Sequence, residues 1–301
     1  MLAFAFPGQG SQRIGMLDAF SGDRDVARLL DAAEGLSGLD LRRIASDGPD
    51  ADLADTRASQ PLLYLTDLAW ATSLQALGIV PSVVAGHSLG EFAALAFVGV
   101  VSPEAGLELV VTRSAIMAEV AAATPGTMAA VVGMERDTIA GLLEGASGVW
   151  VANDNGPGQV VLSGTHAGIE WATGALTGAG ARKVVPLNVT GPFHSPLMAP
   201  ARDAFAEVLE HTHFLDARLP VVQNTHPEMT QDGEVVKARL MDQIVSPVRW
   251  TETMETFRAV GVSVVAEAGP GAVLTGLAKR FGGFAALSAE GDGIDRVKEA
   301  M

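Results

Sequence analysis

Apolar residues in this chain fall into short unbroken blocks separated by longer stretches of helical period, a pattern that predicts a layered α/β protein. Residues 2–6 form an apolar run stopped by Pro7 and read as a buried parallel strand. Residues 83–85, 219–224 and 262–267 read as further strands. Helical spacing covers 25–34, 60–77 with Gly78 as C-cap, 89–97, and 103–123 with Ser102 as N-cap and Pro103 in its first turn. Residues 46–59, polar and rich in aspartate, read as a connection. Helices are expected again at 200–210, 235–243, up to 259 after Ser246-Pro247-Val248-Arg249-Trp250, and 273–280 beyond the turn 267–271. The tail after Ser288 is polar and is expected to be dispensable for chemistry.

Between these blocks the period changes. Residues 128–133, 149–153, 159–163 and 182–188 read as strands, and 137–143 and 166–176 as helices. The order β-α-β-β-α-β is the ferredoxin-like arrangement. Residues 124–189 are therefore expected to form a small inserted domain, facing a larger one built from 1–123 and 190–301 across a cleft.

Composition narrows the function. Of 301 residues, 48% are hydrophobic and 18% charged, enough to bury a full core, which argues against disorder. Without cysteine there is no disulfide framework, thiol nucleophile or cysteine–zinc site. Thirty-five acidic against 20 basic residues give a net charge of −15, which argues against nucleic acid. An acidic partner would be repelled at long range and would need a local basic patch. The first residues lack the basic region of a secretory leader. The longest apolar run, 92–101, falls well short of the roughly 20 residues that span a bilayer, so a cytoplasmic protein off the membrane is expected.

Gly86-His87-Ser88-Leu89-Gly90 fits the G-x-S-x-G turn between a strand and a helix, with Val83-Val84-Ala85 before it and Glu91 opening the helix. Such a turn pushes the serine hydroxyl out of the sheet and sets the Leu89 N–H beside it, where negative charge on a bound carbonyl oxygen would be stabilised. A glycine-lined turn without chemistry has the same spelling. Gly8-Gln9-Gly10 fails the dinucleotide fingerprint, because Arg13 takes the third glycine position; its N–H near Gln9 would be a second donor from a separate loop. His194, hemmed by Pro192 and Pro196, suits a general base. His211 and His213 form an H-x-H pair with no evident third metal ligand and read as a solvated surface pair. Arg113 lies in an apolar stripe with Leu109, Val110, Ile116 and Met117 and must be partnered. Its partner is either a buried glutamate or the carboxylate of a ligand, which a guanidinium grips through two parallel hydrogen bonds.

Taken together, F-P-G-Q-G-S-Q (6–12), G-H-S-L-G-E (86–91), Arg113, the F-H-S around His194 and E-A-G-P-G-A-V-L-T-G-L (267–277) resemble the malonyl-CoA:acyl-carrier-protein transacylase family, including discrete trans-acting acyltransferases of polyketide synthesis. The resemblance implies an α/β-hydrolase-like parallel-sheet core carrying the ferredoxin-like insert. It makes Ser88 the acylated nucleophile and His194 its base, held by a backbone carbonyl in place of an aspartate. Gln9 and Leu89 become the oxyanion-hole donors, Arg113 the malonyl-carboxylate site, and Gln243 an orienter of His194. Phe193, His87 and Asn155, with Asn153, are implied to line the substrate cleft. The implied reaction is a ping-pong transfer of malonyl from coenzyme A to the phosphopantetheine thiol of an acyl carrier protein, for polyketide or fatty-acid synthesis. The thioester is a substrate, and neither a bound cofactor nor a metal is implied. Phe193 directly before the base resembles malonyl-selective polyketide members more than fatty-acid ones, which tend to have a small residue there. Arg182, Lys183, Lys279 and Arg280 are the candidates for a local basic docking patch.

Two other readings compete. A serine thioesterase or esterase of α/β-hydrolase type shares the elbow, but would usually place an acid between serine and histidine and gives Arg113 no task. A catalytically silent docking module is opposed by the intact Ser88, His194 and Gln9.

Overall fold

The computed structural model describes residues 1–301. Its strands in chain order are β1 (Leu2–Phe6), β2 (Val83–Gly86), β3 (Thr127–Val132), β4 (Val149–Gly156), β5 (Gln159–Gly164), β6 (Lys183–Pro186), β7 (Val221–Val222), β8 (Met229–Thr230), β9 (Val248–Arg249), β10 (Val264–Glu267) and β11 (Ala285–Ser288). Six of them make one sheet, ordered β11-β10-β1-β2-β7-β8 and parallel throughout except for β8 at the edge. Every residue of β1, β2 and β10 is buried, as parallel strands covered on both faces require. The two faces differ in size. Phe4 and Phe6 join the larger core with Phe92 and Phe97, while Ala3 and Ala5 leave room for Trp250 and Phe257 on the other side.

The registers Phe6↔Gly86 and Ala5↔Glu267 bring the carboxyl ends of β1, β2 and β10 side by side. The loops that leave them therefore gather at one edge, where open α/β sheets bind ligands.

The second sheet runs β6-β3-β5-β4-β9. Its first four strands are antiparallel neighbours and, with helices Arg136–Leu142 and His166–Gly178, enclose a separate core around Ala129, Val131, Ile139, Leu162 and Ile169. The fifth, β9, is parallel to β4 and belongs to a later part of the chain. It leads into helix Trp250–Ala259, whose Thr251 hydroxyl donates to Asp154 Oδ1 at 2.6 Å. The sheets are thus stitched together beside the gathered loops.

The sequence reading needs three corrections. Residues 46–59 are not an open connection: helices Leu41–Asp47, Asp50–Ala54 and Thr56–Ala76 occupy most of this region. The aspartates that gave it a loop-like composition include an N-cap, Asp55, which accepts from the Arg57 N–H. The long helix also starts at Thr56, ahead of the expected 60–77 span. At the other end the sequence reading lacks two elements, β11, which extends the large sheet, and helix Ile294–Glu299, which buries Val297 against the core; neither bears on the tail's expected dispensability for chemistry.

Glu267 ends β10, and its carboxylate caps the helix that follows. It accepts from the N–H groups of Leu274 at 3.0 Å and Thr275 at 2.7 Å, all within the protein. Glu267→Ala leaves two buried donors unpaired and should cost about 2–4 kcal/mol of stability. Glu267→Gln, which keeps one acceptor, should cost clearly less; thermal melts of the two variants check the order.

Candidate active site

The elbow closes more tightly than any side chain at its flanks would permit. A Cβ at Gly86 would lie 2.0 Å from the Gly90 carbonyl carbon, and one at Gly90 would lie 2.0 Å from the Phe6 carbonyl oxygen. At its apex Ser88 has φ 52°. The only other non-glycine residue with positive φ is His194, at φ 55°. Such backbone is costly and persists where its surroundings over-determine it. These two residues face each other, with Ser88 Oγ 2.7 Å from His194 Nε2.

The protonation of the histidine follows from its other contacts. Nδ1 lies 3.0 Å from the Gln243 carbonyl and 3.1 Å from that of Ser246. Carbonyls only accept, so Nδ1 carries the hydrogen and Nε2 is left to accept from the serine hydroxyl. The loop is braced by Ser195, whose hydroxyl donates to the Pro192 carbonyl at 2.6 Å. Burial, then the nearby charge of Arg113, lower the His194 pKa from 6.5 to about 3.

Two backbone amides beside this pair are free. Within the elbow, Ser88 N–H donates to Asn224 Oδ1 at 2.6 Å and Gly90 N–H to the His87 carbonyl at 3.0 Å, whereas Leu89 N–H has no acceptor in the protein. In the loop after β1, Gly10 N–H is taken by Gln12 Oε1 at 2.7 Å and Gln9 N–H has no acceptor. Leu89 and Gln9 both line the cavity that holds Ser88. Free N–H groups from two loops can receive negative charge developing on a carbonyl oxygen.

Arg113 is fully buried in helix Pro103–Ala123. It forms no ion pair. Nη1 donates to Gln60 Oε1 at 2.7 Å and Nη2 to Gln243 Oε1 at 3.0 Å, while Nη2 lies 3.4 Å from Ser88 Oγ and Nε has no partner. The guanidinium also sits over the Phe92 ring, 5.3 Å from its centre. Glu91 is reached only through Gln243, whose Nε2 donates to Glu91 Oε2 at 3.2 Å and to the Ser88 carbonyl at 2.9 Å. Burial lowers the Arg113 pKa to about 10, with Glu91 opposing, so the charge persists at neutral pH. The cation thus meets neutral amides, and its charge stays available to an anion entering beside Ser88.

The cavity has a volume of about 420 Å³ and opens between the two sheets. The sequence-selected residues Gln9, His87, Ser88, Leu89, Asn155, Phe193 and His194 line it, as does Asn153. Gln243 and Arg113 lie beneath this lining. Gln243 orients His194 with its backbone carbonyl, while its side chain serves Arg113, Ser88 and Glu91. His87 Nε2 pairs with Asn155 Oδ1 at 2.8 Å, joining the elbow to β4, and burial lowers its pKa. Phe193 is buried both as cavity lining and as part of the main core. His211 and His213 are exposed at the surface, and no group of three or more His, Cys, Asp or Glu is placed to hold a metal ion. No helix is long and apolar enough to cross a membrane.

Four residues escaped the sequence reading. Gln60 read as part of a helix start, Glu91 as the first residue of a helix, and Gln223 and Asn224 as the end of a strand. All are buried and hydrogen-bonded under the elbow. The available signal was the adjacent pair of amides closing an apolar strand, since amides buried there need partners.

Comparisons with known proteins agree with this geometry. The family model for the acyl transferase domain matches residues 3–283. A malonyl CoA-acyl carrier protein transacylase from Synechocystis is 42% identical over 279 residues, covering 92% of each chain. One from Bacillus subtilis is 38% identical, covering 93% of this chain and 90% of its own. The solved Synechocystis transacylase superposes with a TM-score of 0.89 at 39% identity over 99% of both chains. A malonyl-transacylase solved in complex with a type II polyketide-synthase acyl-carrier protein superposes with a TM-score of 0.88 at 38% identity, over 95% of this chain and 94% of that one. With the matched segment running through both sheets and every loop of the cavity, the chain belongs to the acyl transferase domain family.

Proposed function

We propose that this protein is a malonyl-CoA:acyl-carrier-protein S-malonyltransferase working through an acyl-serine. The observation that carries this reading is the Ser88–His194 pair in the cavity with a buried, unneutralised Arg113 directly beneath it, Nη2 3.4 Å from Ser88 Oγ. In the first step His194 Nε2 takes the hydroxyl proton as Ser88 Oγ attacks the thioester carbonyl of malonyl-CoA. The oxyanion is held by the Gln9 and Leu89 N–H groups. Coenzyme A leaves as the thiol, protonated by His194. In the second step the carrier's phosphopantetheine thiol gives its proton to His194 and attacks the acyl-serine, restoring Ser88. Arg113 grips the malonyl carboxylate throughout, and the thioester needs no further activating cofactor.

Around this centre, 1–123 and 190–301 serve as an α/β-hydrolase-like core and 124–189 as a ferredoxin-like insert, a division supported by the antiparallel β6-β3-β5-β4 order. The exposed Arg182, Lys183, Lys279 and Arg280 are the candidate docking patch for an acidic carrier; Arg280 donates to Gln159 at the cavity rim. Phe193 is the candidate wall against substituents on the acyl α-carbon. A thioesterase or esterase reading is weaker, because such enzymes have no use for the buried guanidinium.

Intact-mass analysis after malonyl-CoA should show one added malonyl on the wild type, removed by holo-carrier, and none on Ser88→Ala. A label on any peptide but the elbow's would sink the assignment. His194→Ala should slow acylation by roughly 10⁴–10⁶-fold.

Arg113→Ala should weaken malonyl transfer by about 1.5–3 kcal/mol, the value of a charge-assisted bond, and leave acetyl transfer far less affected. Equal losses for malonyl-CoA and acetyl-CoA would make Arg113 a structural residue.

The depressed His194 pKa fixes the acid limb of the reaction. A base neutral down to about pH 3 leaves kcat/KM for self-acylation without an inflection near 6.5. The unfolded chain takes up the His194 proton near 6.5 and the native state does not, so this residue makes stability fall as pH drops from 6.5 towards 3. Quenched-flow acylation and thermal melts between pH 8 and pH 4.5 check both; an inflection of the acylation rate at the ordinary histidine value, or a stability that does not fall below it, would refute them.

A further inference from the structure

The parallel ladder under the elbow ends early. β7 pairs with β2 only through Val84↔Val221 and Ala85↔Val222, because the chain turns away at Ser88 into its left-handed conformation. The Gly86 carbonyl and the Ser88 N–H therefore lack strand partners inside the protein. Asn224, two residues beyond β7 and 1% exposed, meets both. Its Oδ1 accepts from the Ser88 N–H at 2.6 Å and its Nδ2 donates to the Gly86 carbonyl. A primary amide offers a donor and an acceptor as a peptide group does, so this side chain stands in for the missing strand. Asn224 is itself fixed on both sides, its N–H donating to Glu91 Oε2 at 3.1 Å and its carbonyl accepting from the Arg249 N–H at 3.1 Å.

We propose that Asn224 is a positioning residue for acyl transfer: by clamping Gly86 and Ser88 it holds the left-handed backbone of the nucleophile and leaves Leu89 N–H free to face the cavity. The inference rests on the reading of Ser88 as the acylated serine. Three successive amides leave the elbow, and only one can serve as an oxyanion donor. Gly90 N–H closes the turn onto His87, and Asn224 consumes Ser88 N–H. Without Asn224 the Ser88 N–H is a buried orphan. The relief open to it is rotation of the peptide before Ser88 towards ordinary φ, which swings Oγ away from His194 and turns Leu89 N–H out of line. Asn224 touches no reacting atom, since the Ser88 Oγ contacts are His194 and Arg113.

The test uses the full chain with Asn224→Leu, which keeps the branching but neither polar group, and Asn224→Asp, which keeps the acceptor. Three quantities are read: single-turnover acylation by malonyl-CoA, labelling of Ser88 by a fluorophosphonate, and melting temperature. The fluorophosphonate needs the nucleophile and its oxyanion donors but no malonyl group, coenzyme A or carrier. For Asn224→Leu the saturating acylation rate should fall about 10²-fold, the usual result of misplacing a reacting group, with the half-saturating malonyl-CoA concentration unchanged. Fluorophosphonate labelling should fall in parallel. Asn224→Asp should be as slow at neutral pH, because a carboxylate oxygen then opposes the Gly86 carbonyl. Relative to wild type it should recover as pH falls, when the protonated carboxyl regains a donor; Asn224→Leu should not. Val297→Ala, a core truncation in the last helix, should lower the melting temperature and leave both rates unchanged.

Wild-type rates in Asn224→Leu, a loss confined to the half-saturating concentration, or an equal slowing by Val297→Ala would each overturn the proposal. Should Asn224→Leu fail to fold, the pH profile of Asn224→Asp decides, and a flat ratio to wild type counts against it. A wild type that takes the fluorophosphonate but not malonyl overturns the transacylase reading alone, and the labelling rates then decide the role of Asn224.

Discussion

Everything in the site depends on holding two strained residues against each other. Ser88 and His194 both have left-handed backbones, at an intrinsic cost of about 1–3 kcal/mol each, and their side chains meet at 2.7 Å. Neither conformation would persist in an isolated loop. The elbow is pinned by glycines that let β1 and the following helix approach to backbone contact, by Asn224 just beyond β7, and by Gln243 on the Ser88 carbonyl. The histidine loop is pinned by Ser195 and by two carbonyls on Nδ1. The large parallel sheet matters because it brings these supports to one edge.

The second constraint is electrostatic. Arg113 and Glu91 are both buried but do not touch; the Gln243 side chain stands between them. A direct ion pair would have neutralised the guanidinium and left it nothing to offer a substrate. Held by amides, it keeps its charge and acts twice. It is the proposed site for an incoming carboxylate, and it helps burial keep His194 unprotonated. Glu91, whose pKa is raised by burial against its hydrogen bonds, steadies the network from a distance, where its charge compensates without quenching.

Sequence alone singled out the candidate catalytic and binding residues and left their supports hidden. Ser88, His194 and Arg113 stood out because each broke a local rule: a serine between glycines after a strand, a histidine between prolines, an arginine in an apolar stripe. Gln60, Glu91, Gln223 and Asn224 broke none, since an amide or acid at an element's end reads as surface until the tertiary structure buries it. The strands followed from apolar runs, but β11, only Ala285-Ala286-Leu287-Ser288, carried too little apolar signal. The aspartates near residue 50 suggested a loop because capping and loop composition use the same residues. The choice between an ion pair and a ligand site for Arg113 could not come from sequence, because its partners lie 53 and 130 positions away.

Transfer between two thiols imposes a symmetry that this site can satisfy. In the proposed reaction coenzyme A leaves and a carrier thiol arrives, and both are phosphopantetheine arms presenting the same sulfur to the same carbonyl. One oxyanion hole and one base therefore serve both half-reactions, with His194 giving up in one the proton it takes in the other. What must not exchange is the acyl group. Between the two events it is an ester on Ser88, exposed to water in a cavity of about 420 Å³. Arg113, with Nη2 3.4 Å from Ser88 Oγ, can hold the malonyl carboxylate while the thiols trade places. The His87–Asn155 bond and the β4–β9 pairing keep the small sheet close over that ester. A cleft that stays narrow admits a slender arm along its length and gives water little room to approach the ester carbonyl in line, and the surviving intermediate is what separates a transferase from a hydrolase.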